Sequence, residues 1–329
     1  MRFTSVVTRR AAAMLVTAAV TLSSIAGAVA TAPAPGPPEL PALSPESLTR
    51  IYEDNLEYFE EAAAMAEVDG HHERAETLRA MGQRDRQFLS VDARGQGRVV
   101  EVLGDLERAE RISILVPGSD VSIDTFDGEV GGHALGASAR TLYARSGQMS
   151  SKRVAVIAWL GYETPDTLSP AVLTRGRAEE GADELRSFVG KLRRVTDAPI
   201  ALMCHSYGSV VCGLAALGRG GQPKLEVADI AVFGSPGMGV ESADDLVDGT
   251  RLWAGRGESD WITLVPNESL TILGTTVGFG NDPTEHSFGA LSLPAGDGGH
   301  SDYLKPRSAA LDGLARIASG DIGQGIAGA

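Results

Sequence analysis

After Ser44, apolar residues recur three and four apart. Leu48, Ile51, Tyr52, Leu56 and Phe59 share one face of a helix. Ser44 followed by Pro45 supplies a cap and a first turn. The pattern predicts a helix from about Pro45 to Val68, a break at Asp69-Gly70, and a second helix from about His72 to Arg86. "FLSVDARGQGRVVEVLG" then reads as a β-hairpin, with its glycine-containing turn at Ala93 to Gly97.

From Arg111 onward, short apolar runs alternate with helical stretches. "RISILVPG", "VAVIAWLGY", "PIALMCHS", "DIAVFGSPG" and "RLWAGRGESD" read as strands. "ALGASARTLYARSG", "GRAEEGADELRSFVGKLRRVT" and "YGSVVCGLAALGRG" read as helices, and a last helix is expected from about Lys305 to Ile317. This alternation predicts an α/β fold with a mostly parallel central sheet and helices on both faces. Ligands of such sheets bind beyond the carboxyl ends of the strands. The informative side chains are therefore those that directly follow a strand.

Ser206 is one of them. It stands between the strand "PIALMCHS" and a helix, the setting of a nucleophile elbow, G-x-S-x-G. A sharp turn there lifts the hydroxyl above the sheet, and small flanking residues let strand and helix approach. Gly208 fills one flanking position, and Cys204 stands where the first glycine is usual. The competing reading is a serine that caps the following helix.

A serine hydroxyl needs a base. In this topology the order is Ser, then Asp or Glu, then His. Only His286 and His300 follow Ser206. His300, in the glycine-rich "PAGDGGHSDYL" before the last helix, is the expected base. His205 is expected to point away from the serine, as a structural or pocket-lining residue. His71, His72 and His133 are expected at the surface. Asp260, after the strand "RLWAGRG", is the expected acid, with Glu258 as the fallback. Trp261 beside it would shield the pair from water, which strengthens its electrostatics. The oxyanion donors expected are the backbone N–H of Tyr207 and that of Ser119, with Gly118 next. Tyr162 reads either as a substrate-binding residue of the cleft or as a core-edge aromatic, and Gly118 is expected beside the substrate.

Composition bounds this picture. The chain has 329 residues, 43% of them apolar, enough for a sizeable core. With 29 Lys and Arg against 43 Asp and Glu, its net charge of −14 argues against nucleic acid as a partner. Residues 1–30 have the three-part layout of a signal peptide: Arg2, Arg9 and Arg10, an apolar run, and Ala28-Val29-Ala30 as a cleavage site. Cleavage would take three arginines and no acid with it. The alternative is an uncleaved anchor. Residues 31–44 read as a Pro-rich linker, and residues 45–329 as one domain that includes the helices of 45–86. Cys204 and Cys212 sit at similar depth below the turn. Free buried thiols are the expectation, with a disulfide the alternative in an exported chain. No metal-ligand spacing, phosphate loop or dinucleotide fingerprint occurs, so neither a metal nor a cofactor is expected.

The blocks "VPGSD", "AWLGYETP", "HSYGSVV", "GSPGM", "WAGRGESDWI", "FGA" and "GHSDYL", in that order from about Gln87 to Asp302, resemble those of a bacterial alpha/beta-hydrolase-fold family known as a domain of unknown function. The resemblance implies the alpha/beta hydrolase fold and a serine-hydrolase site at Ser206, Asp260 and His300. It implies no substrate. The reading is a secreted carboxylic ester hydrolase acting on a small or lipid-like ester through an acyl-serine. It has no stable membrane span once the leader is removed. An acyltransferase with the same triad and a non-catalytic envelope or binding protein remain the alternatives.

Overall fold

The computed structural model describes residues 32–217, 225–246, 249–265, 270–272 and 275–322. The expected leader, residues 1–30, lies outside them. Residues 32–44 have no regular secondary structure but lie against the body. Ala32 is buried, and Tyr58 Oη donates to the carbonyl of Pro35 at 2.9 Å.

Strands β1 (Gln87–Asp92) and β2 (Arg98–Leu103) form the expected hairpin. β3 (Arg111–Val116), β4 (Val154–Leu160), β5 (Ile200–His205), β6 (Asp229–Phe233), β7 (Arg251–Gly255) and the short β10 (Leu291–Ser292) continue the sheet. Its order is β1-β2-β4-β3-β5-β6-β7-β10. Pairing is antiparallel as far as β4 and parallel from there on. A separate antiparallel ribbon joins β8 (Leu270–Ile272) to β9 (Thr275–Val277). The sequence pattern had not indicated it.

Every residue of β3, β4, β5 and β6 is buried, because helices cover both faces. Side chains of β5 alternate between two apolar layers. Leu202 and Cys204 face one layer, with α4 (Gly176–Leu192) and α5 (Gly208–Leu217). Ala201 and Met203 face the other, with α3 (Leu135–Met149) and α6 (Ala309–Ser319). The paired helices α1 (Leu48–Val68) and α2 (His72–Met81) extend the second layer through Phe59 and Leu78.

Two boundaries differ from the sequence pattern. The second helix stops at Met81, capped by Gly82, and does not reach Arg86. Arg86 leaves the helix to pair with buried Glu101 at 2.7 Å and with Asp127 at 2.6 Å. The last helix starts at Ala309 rather than Lys305, because Ser308 caps it by accepting from the N–H of Leu311.

Candidate active site

The chain turns sharply between β5 and α5. Ser206 has φ 51°, a left-handed conformation that is costly for a non-glycine residue. Its N–H donates to the carbonyl of Phe233 at 3.0 Å, which ties the turn to β6. The close packing needs glycine at two places. A Cβ on Gly208 would lie 2.5 Å from the carbonyl oxygen of Pro117. A Cβ on Gly118 would lie 2.7 Å from Cβ of Ser206.

Cys204 and Cys212 are joined in a disulfide, contrary to the free thiols expected from sequence. The cause is the reversal itself. β5 rises into the turn and α5 descends beside it, leaving the two Cα atoms 6.5 Å apart, within bonding range. Cysteine at the usual glycine position is thus a staple between strand and helix.

His300, in the loop between β10 and α6, faces Ser206, with Nε2 2.8 Å from Oγ. Its Nδ1 lies 2.9 Å from Oδ1 of Asp260 and 3.1 Å from Oδ2. With Nδ1–H donating a hydrogen bond to the carboxylate, Nε2 is left to accept from the serine hydroxyl. Asp260 is 2% exposed. Burial pushes its pKa up, but hydrogen bonds from His300, from Tyr303 and from the N–H of Ile262 outweigh it and hold the pKa below the usual value. The carboxylate stays ionised, as the partner of an imidazolium must. Glu258 is exposed, and so is His286.

Neighbouring side chains fix this arrangement. Tyr303 Oη donates to Asp260 and accepts from the N–H of Gly257 at 3.0 Å. His205 lies against the ring of His300, centroids 4.9 Å apart, and its Nε2 donates to the His300 carbonyl at 2.8 Å. Trp261 is half-exposed and covers the His300 imidazole, with centroids 4.5 Å apart. Tyr303 had no signal in the sequence beyond its place in "GHSDYL".

Tyr162 does not line the cleft. It is 1% exposed, packs on Trp159 and donates from Oη to the carbonyl of Pro117 at 2.8 Å. It holds the loop that carries Gly118 and Ser119, so the core-aromatic reading is the correct one. Gly118 itself is buried under Ser206. His71 and His72 lie at the surface, paired with Asp69 and Glu67. His133 is exposed but also lines the cleft.

The cleft above Ser206 has a volume of about 370 Å³, and Ser119, Tyr207 and His300 are among its walls. Neither the N–H of Tyr207 nor that of Ser119 is hydrogen-bonded to another described residue. The Tyr207 ring is turned into the core, where Oη donates to the Thr174 carbonyl at 2.7 Å and burial pushes its pKa up to about 12. Two amides without a partner among the described residues thus belong to residues that line one cleft with a hydroxyl that a histidine can deprotonate. Such a constellation can add the serine to a carbonyl carbon and hold the resulting oxyanion.

A sheet of this order with a serine raised between strand and helix defines an alpha/beta hydrolase. Residues 92–269 match the model of the family described as alpha/beta hydrolase, and the chain belongs to that family. It is 29% identical over 256 residues to the uncharacterized protein Rv2079 of Mycobacterium tuberculosis, covering 69% of this chain and 37% of the relative. It is 34% identical over 149 residues to the uncharacterized protein Rv0963c of the same species, covering 44% of this chain and 54% of the relative. The chain thus spans only about a third to a half of the length of these relatives. Among solved structures it is similar to XC6422 of Xanthomonas campestris, an α/β serine hydrolase without a lid. The identity there is 15%, the coverage 73% of this chain and 95% of that one, and the TM-score 0.43. It is also similar to esterase LipW of Mycobacterium marinum at 15% identity, with coverage of 84% and 90% and a TM-score of 0.42.

Proposed function

We propose that this protein is a serine hydrolase that cleaves carboxylic esters through an acyl-serine intermediate. The observation that carries the reading is the hydrogen-bonded chain from Ser206 through His300 to Asp260 at the base of an open cleft.

Ser206 Oγ attacks the carbonyl carbon of the ester while its proton passes to Nε2 of His300. The oxyanion is held by the amides of Tyr207 and Ser119. Collapse breaks the bond to the alkoxy oxygen, which takes the proton from His300 and leaves as the alcohol. Water then enters, gives a proton to His300 and attacks the acyl carbon. The acid departs as Ser206 recovers its proton. Asp260 keeps His300 in the required tautomer and stabilises the imidazolium that forms in each half.

We also propose that the protein works outside the cytoplasm. The leader-like residues 1–30 support this, and so does the Cys204–Cys212 disulfide, since such bonds persist in oxidising compartments. No helix among the described residues is long and apolar enough to cross a membrane.

A fluorophosphonate probe tests the catalytic reading. It should label intact protein at Ser206, with Ser206→Ala unlabelled and its ester hydrolysis down by about 10⁴-fold or more. An unlabelled wild-type protein that is inert toward an ester panel would leave the fold without this chemistry. An added alcohol acceptor shows whether the acyl group passes to water or to an alcohol.

A further inference from the structure

The cleft over Ser206 has two unlike walls. One is apolar, built from Val172, Leu173, Ile262, Val265 and Phe279. Two of its lining residues are large apolar side chains in solvent: Leu173 is 42% exposed and Trp261 49%. Isolated exposed hydrophobics are ordinary, but a group of them at the mouth of a cleft marks a surface meant to be covered.

The other wall is polar. Ser119, Asp120 and His133 come from the segment between β3 and α3, and Thr167 joins them. At Asp120 this wall meets a second groove of about 950 Å³, which runs toward α2 and the β1–β2 turn. Asp120 has φ 59°, a conformation disfavoured for aspartate's Cβ. Its carboxylate accepts from the N–H of Thr167 at 2.8 Å and from the Thr167 hydroxyl. Asp120 and Thr167 thus form a hydrogen-bonded rim where the two grooves meet.

Glu73, Thr77, Gln96, Ser122 and Asp166 line the second groove. Carboxylates and amide oxygens accept hydrogen bonds from hydroxyl groups. Arg74 in this wall is already paired with Asp124 at 2.6 Å and with the carbonyls of Ala93 and Gly95, and the lining His71 and His72 are paired with Asp69 and Glu67. The groove is thus suited to an uncharged, hydroxyl-rich group and unsuited to a phosphate.

We infer that the substrate is an amphiphilic ester, an apolar acyl chain on a neutral polyhydroxy alcohol. The acyl chain lies along Ile262 and Phe279, and the alcohol extends past Asp120 into the second groove. The inference rests on the serine-hydrolase reading and narrows it to one substrate class.

The test compares kcat/KM of the full chain on butanoyl and decanoyl esters, each of ethanol and of glucose. Decanoyl glucose should be preferred about tenfold or more over decanoyl ethanol and over butanoyl glucose. Ser122→Ala and Asp166→Ala should lower the glucose-over-ethanol ratio, and Phe279→Ala the decanoyl-over-butanoyl ratio. Equal rates on glucose and ethanol esters, or a preference that survives both groove variants, would overturn the inference. So would a protein that is labelled at Ser206 but turns over none of the esters. A protein that is neither labelled nor active overturns the serine-hydrolase reading itself.

Discussion

His205 donates from Nε2 to the backbone carbonyl of His300 at 2.8 Å. The residue just before the nucleophile therefore holds the loop that carries the base. Two segments 95 positions apart in sequence are fixed as one unit. Because a misplacement of about 1 Å can cost roughly 100-fold in rate, His205→Ala should lower kcat about 10- to 100-fold and change KM little. Steady-state kinetics on any turned-over ester checks this. An unchanged kcat would show that the loop needs no such tie.

The same imidazole makes stability depend on pH. Burial, and then the neighbouring His300, push the His205 pKa down to about 3. In the unfolded chain it returns to about 6.5. Between those values the unfolded state binds a proton that the folded state refuses. The stabilisation is complete above about pH 6.5 and is lost as pH falls toward 3, with a limiting slope of about 1.4 kcal/mol per pH unit. Denaturant melts at pH 7 and pH 5 should differ by about 2 kcal/mol from this residue. His205→Gln, which keeps a donor near Nε2, should flatten that difference.

Tyr303 ties Asp260 to the backbone of Gly257 through its hydroxyl. Tyr303→Phe keeps the ring against Phe233 but leaves the Gly257 N–H without an acceptor and Asp260 with one donor fewer. A buried group left unpaired costs about 1–3 kcal/mol. Chemical denaturation should show a loss in that range, and labelling of Ser206 should slow because the carboxylate is less firmly aimed at His300. A variant as stable and as reactive as wild type would reduce Tyr303 to packing.

What the sequence showed and what it hid divide along a physical line. β3 through β7 were legible because strands buried on both faces read as continuous apolar runs. Ser206, Asp260 and His300 were legible as neighbours because each directly follows a strand or sits in a glycine-rich loop in the expected order. Tyr162 was ambiguous because "WLGYETP" does not reveal whether its hydroxyl meets substrate or the carbonyl of Pro117. Tyr303 and the second groove were hidden because each depends on where separate segments meet in space. The disulfide was missed for a subtler reason. Its spacing allowed the bond, but only the angle at which α5 returns along β5 decides it.

Gly118 shows how little room the elbow has. Gly118→Ala would place a methyl 2.7 Å from Cβ of Ser206 and 3.2 Å from the carbonyl oxygen of His205. Both are held in the turn rather than at the end of a flexible side chain, so they yield poorly. Overpacking of this kind costs about 1–3 kcal/mol. The larger effect should be on chemistry, since the serine hydroxyl and the Ser119 amide shift together. Ester hydrolysis should fall about 100-fold or more, while circular dichroism remains that of a folded protein. Crystallography of the variant would show whether Ser206 leaves φ 51°.

The Cys204–Cys212 bond closes a short loop of sequence separation 8 directly beneath the nucleophile. In the chain-entropy account, closing a loop of this length in the unfolded state is worth about 2–3 kcal/mol. Cys204→Ala with Cys212→Ala should lose about that much and should melt identically with and without reductant. Wild type should lose the same amount only when reductant is present during unfolding, because both sulfurs are buried in the native core. The turn they support is strained by about 1–3 kcal/mol at Ser206. Some of the lost constraint should therefore appear at the site, as slower labelling of Ser206 in the folded double variant. If the double variant melts like oxidised wild type, the bond adds nothing to the fold, and the packing of β5 against α5 holds the elbow on its own.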